Sequence, residues 1–270
     1  MIGQRVYRHS IIARTSHWLW TLAMLVLVMS GLQIFNAAPY LDASDKSDPS
    51  KRVLSIGSVD AGGGATIGQT QIFGITLTTT SVLGFTDDGA GGRAPRAFPA
   101  AVTLPGPQNL ADGRRWHLFF GWFLTLAIVV YAIAGAIRKD LREIILRPSD
   151  LPKLWPMQLY YFKLRKEPPP HGTYNPLQKA AYTVVLFVFI PLIILTGLAL
   201  SPGVDAFAGP LTSLFGGRQF ARLWHFAIMT LLIGYFATHM VLVLGTGFWN
   251  NMRSMITGWY ELKKGDGVGV

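Results

Sequence analysis

RLWHFAIMTLLIGYFATHM, residues 222–240, is apolar enough to lie in a lipid bilayer, yet it carries His225 and His239. An imidazole in hydrocarbon needs a polar partner or a metal. Fourteen residues of helix rise about 21 Å and bring the second side chain to within about 40° of the first. The two histidines therefore share one stripe of the helix, one toward each membrane face.

Three further apolar runs join this one, giving spans near 17–36, 116–137, 177–200 and 223–247. Each can cross a hydrocarbon core that needs about 20 helical residues. The expected fold is an all-α membrane protein, a four-helix bundle forming one domain over 1–270, with both termini cytoplasmic. The first run starts with Arg14, Thr15, Ser16, His17 and Trp18, which favours a retained helix over a signal peptide. The net charge of +10 sorts by side: 1–16, 138–176, Lys179 and 248–270 hold 15 of the 24 Lys and Arg, and 6 of the 14 acidic residues. That is a positive-inside pattern, and it argues against a nucleic-acid partner. Segment 37–115 is then a long extracytoplasmic loop, in which 71–85 is rich in Ile, Thr and Val and suits a short strand or hairpin. The basic inner loop 138–176 includes an interfacial aromatic–lysine stretch at 151–166. There is no cysteine, so disulfides, thiolate-held clusters and covalent haem attachment are excluded within this sequence.

Two other spans supply a histidine at each depth: His17 opens the first span on the inner side, and His117 opens the second on the outer side. Two pairs, His17–His239 and His117–His225, suit two haems with bis-imidazole iron. Gly31 lies fourteen residues after His17, and Gly135 eighteen after His117. Each falls on its ligand's stripe at the other haem's depth, leaving room for a flat macrocycle. Close helix packing explains such glycines equally well. Arg14, Arg115 and Arg222, with Arg114 and Arg218, lie where propionates would emerge, although arginines also cap membrane helices. His9 and His171 fall outside both pairs and read as solvated. No Cys nucleophile, phosphate loop or metal-spaced carboxylate cluster is present.

RTSHW (14–18), GRRWHLFFGW (113–122), the LTGL ending at 195–198 and RLWHF…ATHM together resemble bacterial di-haem cytochrome b membrane subunits. These serve nickel–iron hydrogenases, formate dehydrogenases and thiosulfate-reductase-type enzymes. MSGL (29–32) is a helix ending similar to LTGL. The long outer loop and NNMRSMITGWY (250–260) look most like the thiosulfate-reductase branch. The resemblance implies two haem b groups, quinone as substrate, a bacterial inner-membrane location and electron transfer to an extracytoplasmic, molybdopterin-type partner subunit. It also implies a quinone site near the inner haem, within reach of Arg14, His239, Arg253 or Glu143. Self-association is left open. A stand-alone quinol-oxidising cytochrome and a haem-free transporter with a histidine proton relay are the alternatives.

Overall fold

The computed structural model describes residues 5–138, 141–172, 174–207 and 209–262; the side chain of Glu143 lies outside the described part. Four helices are long and apolar enough to cross a membrane: α1 (Ile11–Phe35), α2 (Leu110–Arg138), α4 (Pro176–Leu200) and α5 (Arg218–Gly245). Only 11–22% of each apolar window is buried by protein. Side chains such as Leu25, Phe119, Leu126 and Val241 are left bare, as lipid-facing residues are. Three of the helices begin five or six residues before the expected spans. Their first turns are polar or mixed and remain helical beyond the apolar stretch. In α4, Pro191 cannot donate a backbone hydrogen bond, and a π-turn over Val185–Phe189 takes up the break just before it.

The chain divides into two compact units, and the division cuts all four long helices. One unit comprises 1–18, 127–192 and 231–270. In it, β1 (Arg5–Tyr7) pairs antiparallel with β8 (Trp259–Glu261), so the two ends of the described chain meet. An eight-residue helix, α3 (Leu154–Tyr161), precedes α4, whose start carries a capping box built by Asn175 and Gln178. After α5, helix α6 (Phe248–Thr257) runs between Gly247 and Gly258, both in the left-handed region.

The other unit comprises 19–126 and 193–230. Here the mostly helical fold gains a β-layer that the all-α expectation did not include. The segment between α1 and α2 folds into a four-stranded antiparallel sheet in the order β2 (Tyr40–Asp42), β3 (Arg52–Asp60), β4 (Thr66–Ile72), β5 (Ile75–Thr78). A second hairpin joins β6 (Phe85–Asp87) to β7 (Arg93–Pro95). The strand or hairpin expected within 71–85 is a hairpin turn followed by β5: Phe73 and Gly74 both have positive φ and close the β4–β5 hairpin. Gly68 is required because the backbone at Leu83 and Phe85 crosses where a Cβ would stand. Phe35, Leu41, Ile56 and Ala97 form the core, with Phe98, Leu223 and Phe226 packed against it.

Buried polar groups tie this layer to α1. Asn36 accepts from the Phe98 amide at 2.7 Å and donates to the Phe98 carbonyl at 3.2 Å. Gln33 donates to the Pro107 carbonyl at 2.7 Å. Arg96, 3% exposed, donates to the carbonyls of Phe98 (2.8 Å) and Gly106 (3.1 Å) and to the Thr103 hydroxyl (3.0 Å). The long loop is a built domain.

Candidate haem sites

In the unit that contains both chain ends, His17 on α1 faces His239 on α5, with ring centroids 6.3 Å apart and planes at 53°. In the other unit, His117 on α2 faces His225 on α5 at 6.1 Å and 70°. A metal held at about 2 Å by one nitrogen of each of two opposed imidazoles leaves the centroids about 6.3 Å apart. Both couples have the spacing of two imidazoles that would share one metal ion. The donor set also fits: each couple offers two imidazoles on apolar helices. Among the described residues, no cluster of three or more His, Cys, Asp or Glu offers a competing metal site.

The surroundings of the His117–His225 couple are the more fully specified. His117 Nδ1 lies 3.1 Å from Ser30 Oγ and 3.1 Å from the Leu27 carbonyl oxygen. His225 Nδ1 lies 3.0 Å from Thr196 Oγ1. A Cβ on Gly31 would stand 3.2 Å from His117 Cε1, and one on Gly197 would stand 3.2 Å from His225 Cε1. Gly31 therefore admits an imidazole, whereas the sequence suggested that it clears space for a macrocycle. Gly135 is buried in the unit that holds His17 and His239.

Ser30, Thr196 and Gly197 were missed as site residues. Their signal was the MSGL and LTGL pair, which reads as helix punctuation until the histidines are placed beside it. A second signal accompanies it. Arg114-x-Trp116-His117 and Arg222-x-Trp224-His225 repeat one pattern, each following a helix that ends in one of the Ser/Thr-Gly pairs.

The His17–His239 couple has different neighbours. The Tyr235 ring lies nearly parallel to His239 at 6.2 Å. Trp18 Nε1 donates to the Met255 carbonyl at 3.1 Å, and Arg14 donates to the Ile256 carbonyl, so both satisfy the C-terminal turn of α6. The other arginines are placed as follows. Arg222 donates to the Ala38 carbonyl and lies over the rings of Phe35 and Tyr40. Arg115 is 80% exposed in an ion pair with Asp112, and Arg218 donates to the Leu200 carbonyl. Arg253 pairs with Glu261 at 2.6 Å. His9, expected to be solvated, is half-buried. Burial first, then the charges of Arg8, His17 and Arg14, pull its pKa down to about 4.

The family model of the prokaryotic cytochrome b561 matches residues 8–258. The chain belongs to the prokaryotic cytochrome b561 family. It is a multi-pass membrane protein that binds haem b and carries electrons, which sets aside the haem-free transporter. It is 25% identical over 230 residues, 85% of this chain and 86% of the relative, to an Azospira oryzae protein named "Putative protein-methionine-sulfoxide reductase subunit YedZ1". No solved structure matches it significantly.

Proposed function

We propose that this cytochrome holds two haem b groups, through His17 with His239 and through His117 with His225, and passes electrons between quinone and an extracytoplasmic oxidoreductase. The observation that carries the reading is the pair of facing imidazole couples at 6.3 and 6.1 Å. Bound haem supplies one-electron chemistry at iron, and the chain supplies axial nitrogens, apolar walls and exclusion of water. The positive-inside pattern and the meeting of β1 with β8 support both termini being cytoplasmic, in a bacterial inner membrane.

The relative's name describes a reductase subunit, which supports a partner enzyme, and the resemblance points to the molybdopterin class. The sheet domain at 40–95 is the surface on which such a partner docks. Arg14 and Arg253 are candidate residues near a quinone at the His17–His239 end. Purified protein should carry two haems per chain by pyridine haemochrome assay, and His117→Ala should carry one. Two haems retained in His117→Ala would overturn the ligand pairs. Deletion of 44–95 should abolish co-purification of the partner while the His17–His239 haem is kept.

A further inference from the structure

Leu27-Val-Met-Ser30-Gly31-Leu32 and Ile193-Ile-Leu-Thr196-Gly197-Leu198 are two copies of one device. In each, a hydroxyl and the next residue's missing Cβ meet the same imidazole. In each, the hydroxyl also reaches the carbonyl three residues back: Ser30 to Leu27 at 3.3 Å, Thr196 to Ile193 at 3.2 Å. Ser30 and Thr196 are both 0% exposed.

The hydrogen-bond directions follow from what each atom can do. The Leu27 carbonyl oxygen only accepts, so a bond to it requires the proton of His117 to sit on Nδ1. The Ser30 hydroxyl donates to the Val26 carbonyl at 2.6 Å, so it offers Nδ1 a lone pair. The Thr196 hydroxyl reaches both the Ile193 carbonyl and His225 Nδ1; with Nε2 given to the metal, Nδ1 carries the proton and the hydroxyl accepts it. In both rings Nε2 is left with its lone pair free. Glycine at the next position lets the ring come close enough for this bond, since any Cβ there would crowd Cε1.

We propose that Ser30 and Thr196 are positioning residues for the His117–His225 haem, locking the tautomer and plane of both axial imidazoles and lowering that haem's reduction potential. This rests on the ligand assignment above. An acceptor on Nδ1–H raises the basicity of the ligating nitrogen, which favours ferric iron over ferrous. Removing it should raise the potential of this haem and leave the His17–His239 haem where it was.

The test is an optical redox titration of the full-length protein in detergent, with haem content and the low-temperature ferric EPR spectrum measured alongside. Thr196→Val keeps the shape and removes the hydroxyl acceptor; Ser30→Ala removes one of two acceptors on the other ring, leaving the Leu27 carbonyl, so its shift should be the smaller. Each should keep two haems and shift one potential upward by up to about tenfold in the ferric–ferrous preference, about 59 mV for one electron. The double variant should shift further, and Thr196→Ser should restore the original value. The EPR signal of the same haem should change, since its ligand planes are no longer held. Unchanged potentials in the double variant with two haems present would overturn the proposal, as would a shift confined to the other haem. If Thr196→Val loses one haem, restoration by Thr196→Ser supports the proposal, and failure to restore it counts against it. Retention of two haems in His117→Ala would instead sink the ligand assignment itself.

Discussion

The two imidazole couples are alike in spacing and unlike in support. Ser30 and Thr196 hydroxyls and the glycine gaps at Gly31 and Gly197 brace the His117–His225 couple. Its unit also contains a β-layer whose core packs against Phe226, the residue after His225. The His17–His239 couple is flanked by Tyr235 and by Trp18, which caps α6, in a unit closed by the short β1–β8 pairing. The first couple is held by buried, short-range contacts and the second by elements from the two ends of the chain. The first should therefore be rigid and intolerant of substitution, and the second more adaptable.

The largest effect should come from the ligands. His117→Ala and His17→Ala should each halve the haem content, measured by pyridine haemochrome, and each should remove a different component of the reduced α-band. Loss of the same component in both variants would erase the distinction between the couples. Next in size is the glycine contact. Gly197→Val places branched carbon where His225 Cε1 already limits a Cβ to 3.2 Å. It should weaken haem retention on that couple by about tenfold or more, the scale set by losing a group that orients a ligand. Haem loss on dilution measures this, and the other haem should be unaffected.

A smaller effect tests the β-layer. Asp42 is fully buried, pairs with Arg52 at 3.0 Å, and accepts from the Asp48 amide at 3.0 Å and the Ser47 hydroxyl at 3.2 Å. Burial opposes its ionisation, but the Arg52 guanidinium and these two donors outweigh it and hold its pKa below the ordinary 3.8. Asp42→Asn should destabilise the sheet by about 2–3 kcal/mol, because it leaves a charged partner behind. The pH dependence has a fixed sign. A depressed carboxylate stabilises fully above its unfolded pKa, and that contribution disappears as pH falls through the lowered folded value. Protection against hydrogen exchange in 40–78, measured relative to the intrinsic rate at each pH, should fall at acid pH in the parent protein and lose that pH step in Asp42→Asn.

The smallest effect belongs to the chain ends. Arg253 and Glu261 form a pair whose side chains are each 37% exposed. Glu261→Gln should cost little, because solvent screens the pair. It should speed exchange at 259–261 without changing haem content.

Much of the architecture could be read before any tertiary information. The four spans were legible because lipid demands long apolar runs, and their number and approximate limits follow from that demand alone. The histidine couples were legible because helical periodicity converts spacing into angle and depth. The sheet was harder to see. In β4, only Gly68 and Thr70 are buried, and neither is hydrophobic, so the usual alternation signal is weak. Its turn was hidden by Phe73, a residue rarely placed at positive φ. The ion pair of Arg115 with Asp112 could not be read from the sequence, because it depends on the turn of α2 that brings the two side chains together.

The sequence by itself determined that this is a membrane protein with four long apolar spans and that His225 and His239 share one stripe of a helix, because those properties depend on local composition and on the pitch of single helices. Tertiary structure alone decided that Ser30 meets His117 across 87 positions and that Thr196 meets His225 across 29. It also decided that Gly31 faces an imidazole and that Arg5–Tyr7 pairs with Trp259–Glu261. A helix's own periodicity says which residues share a stripe, but not which neighbour that stripe will touch. That choice is made when separate helices pack and their buried polar atoms must find partners.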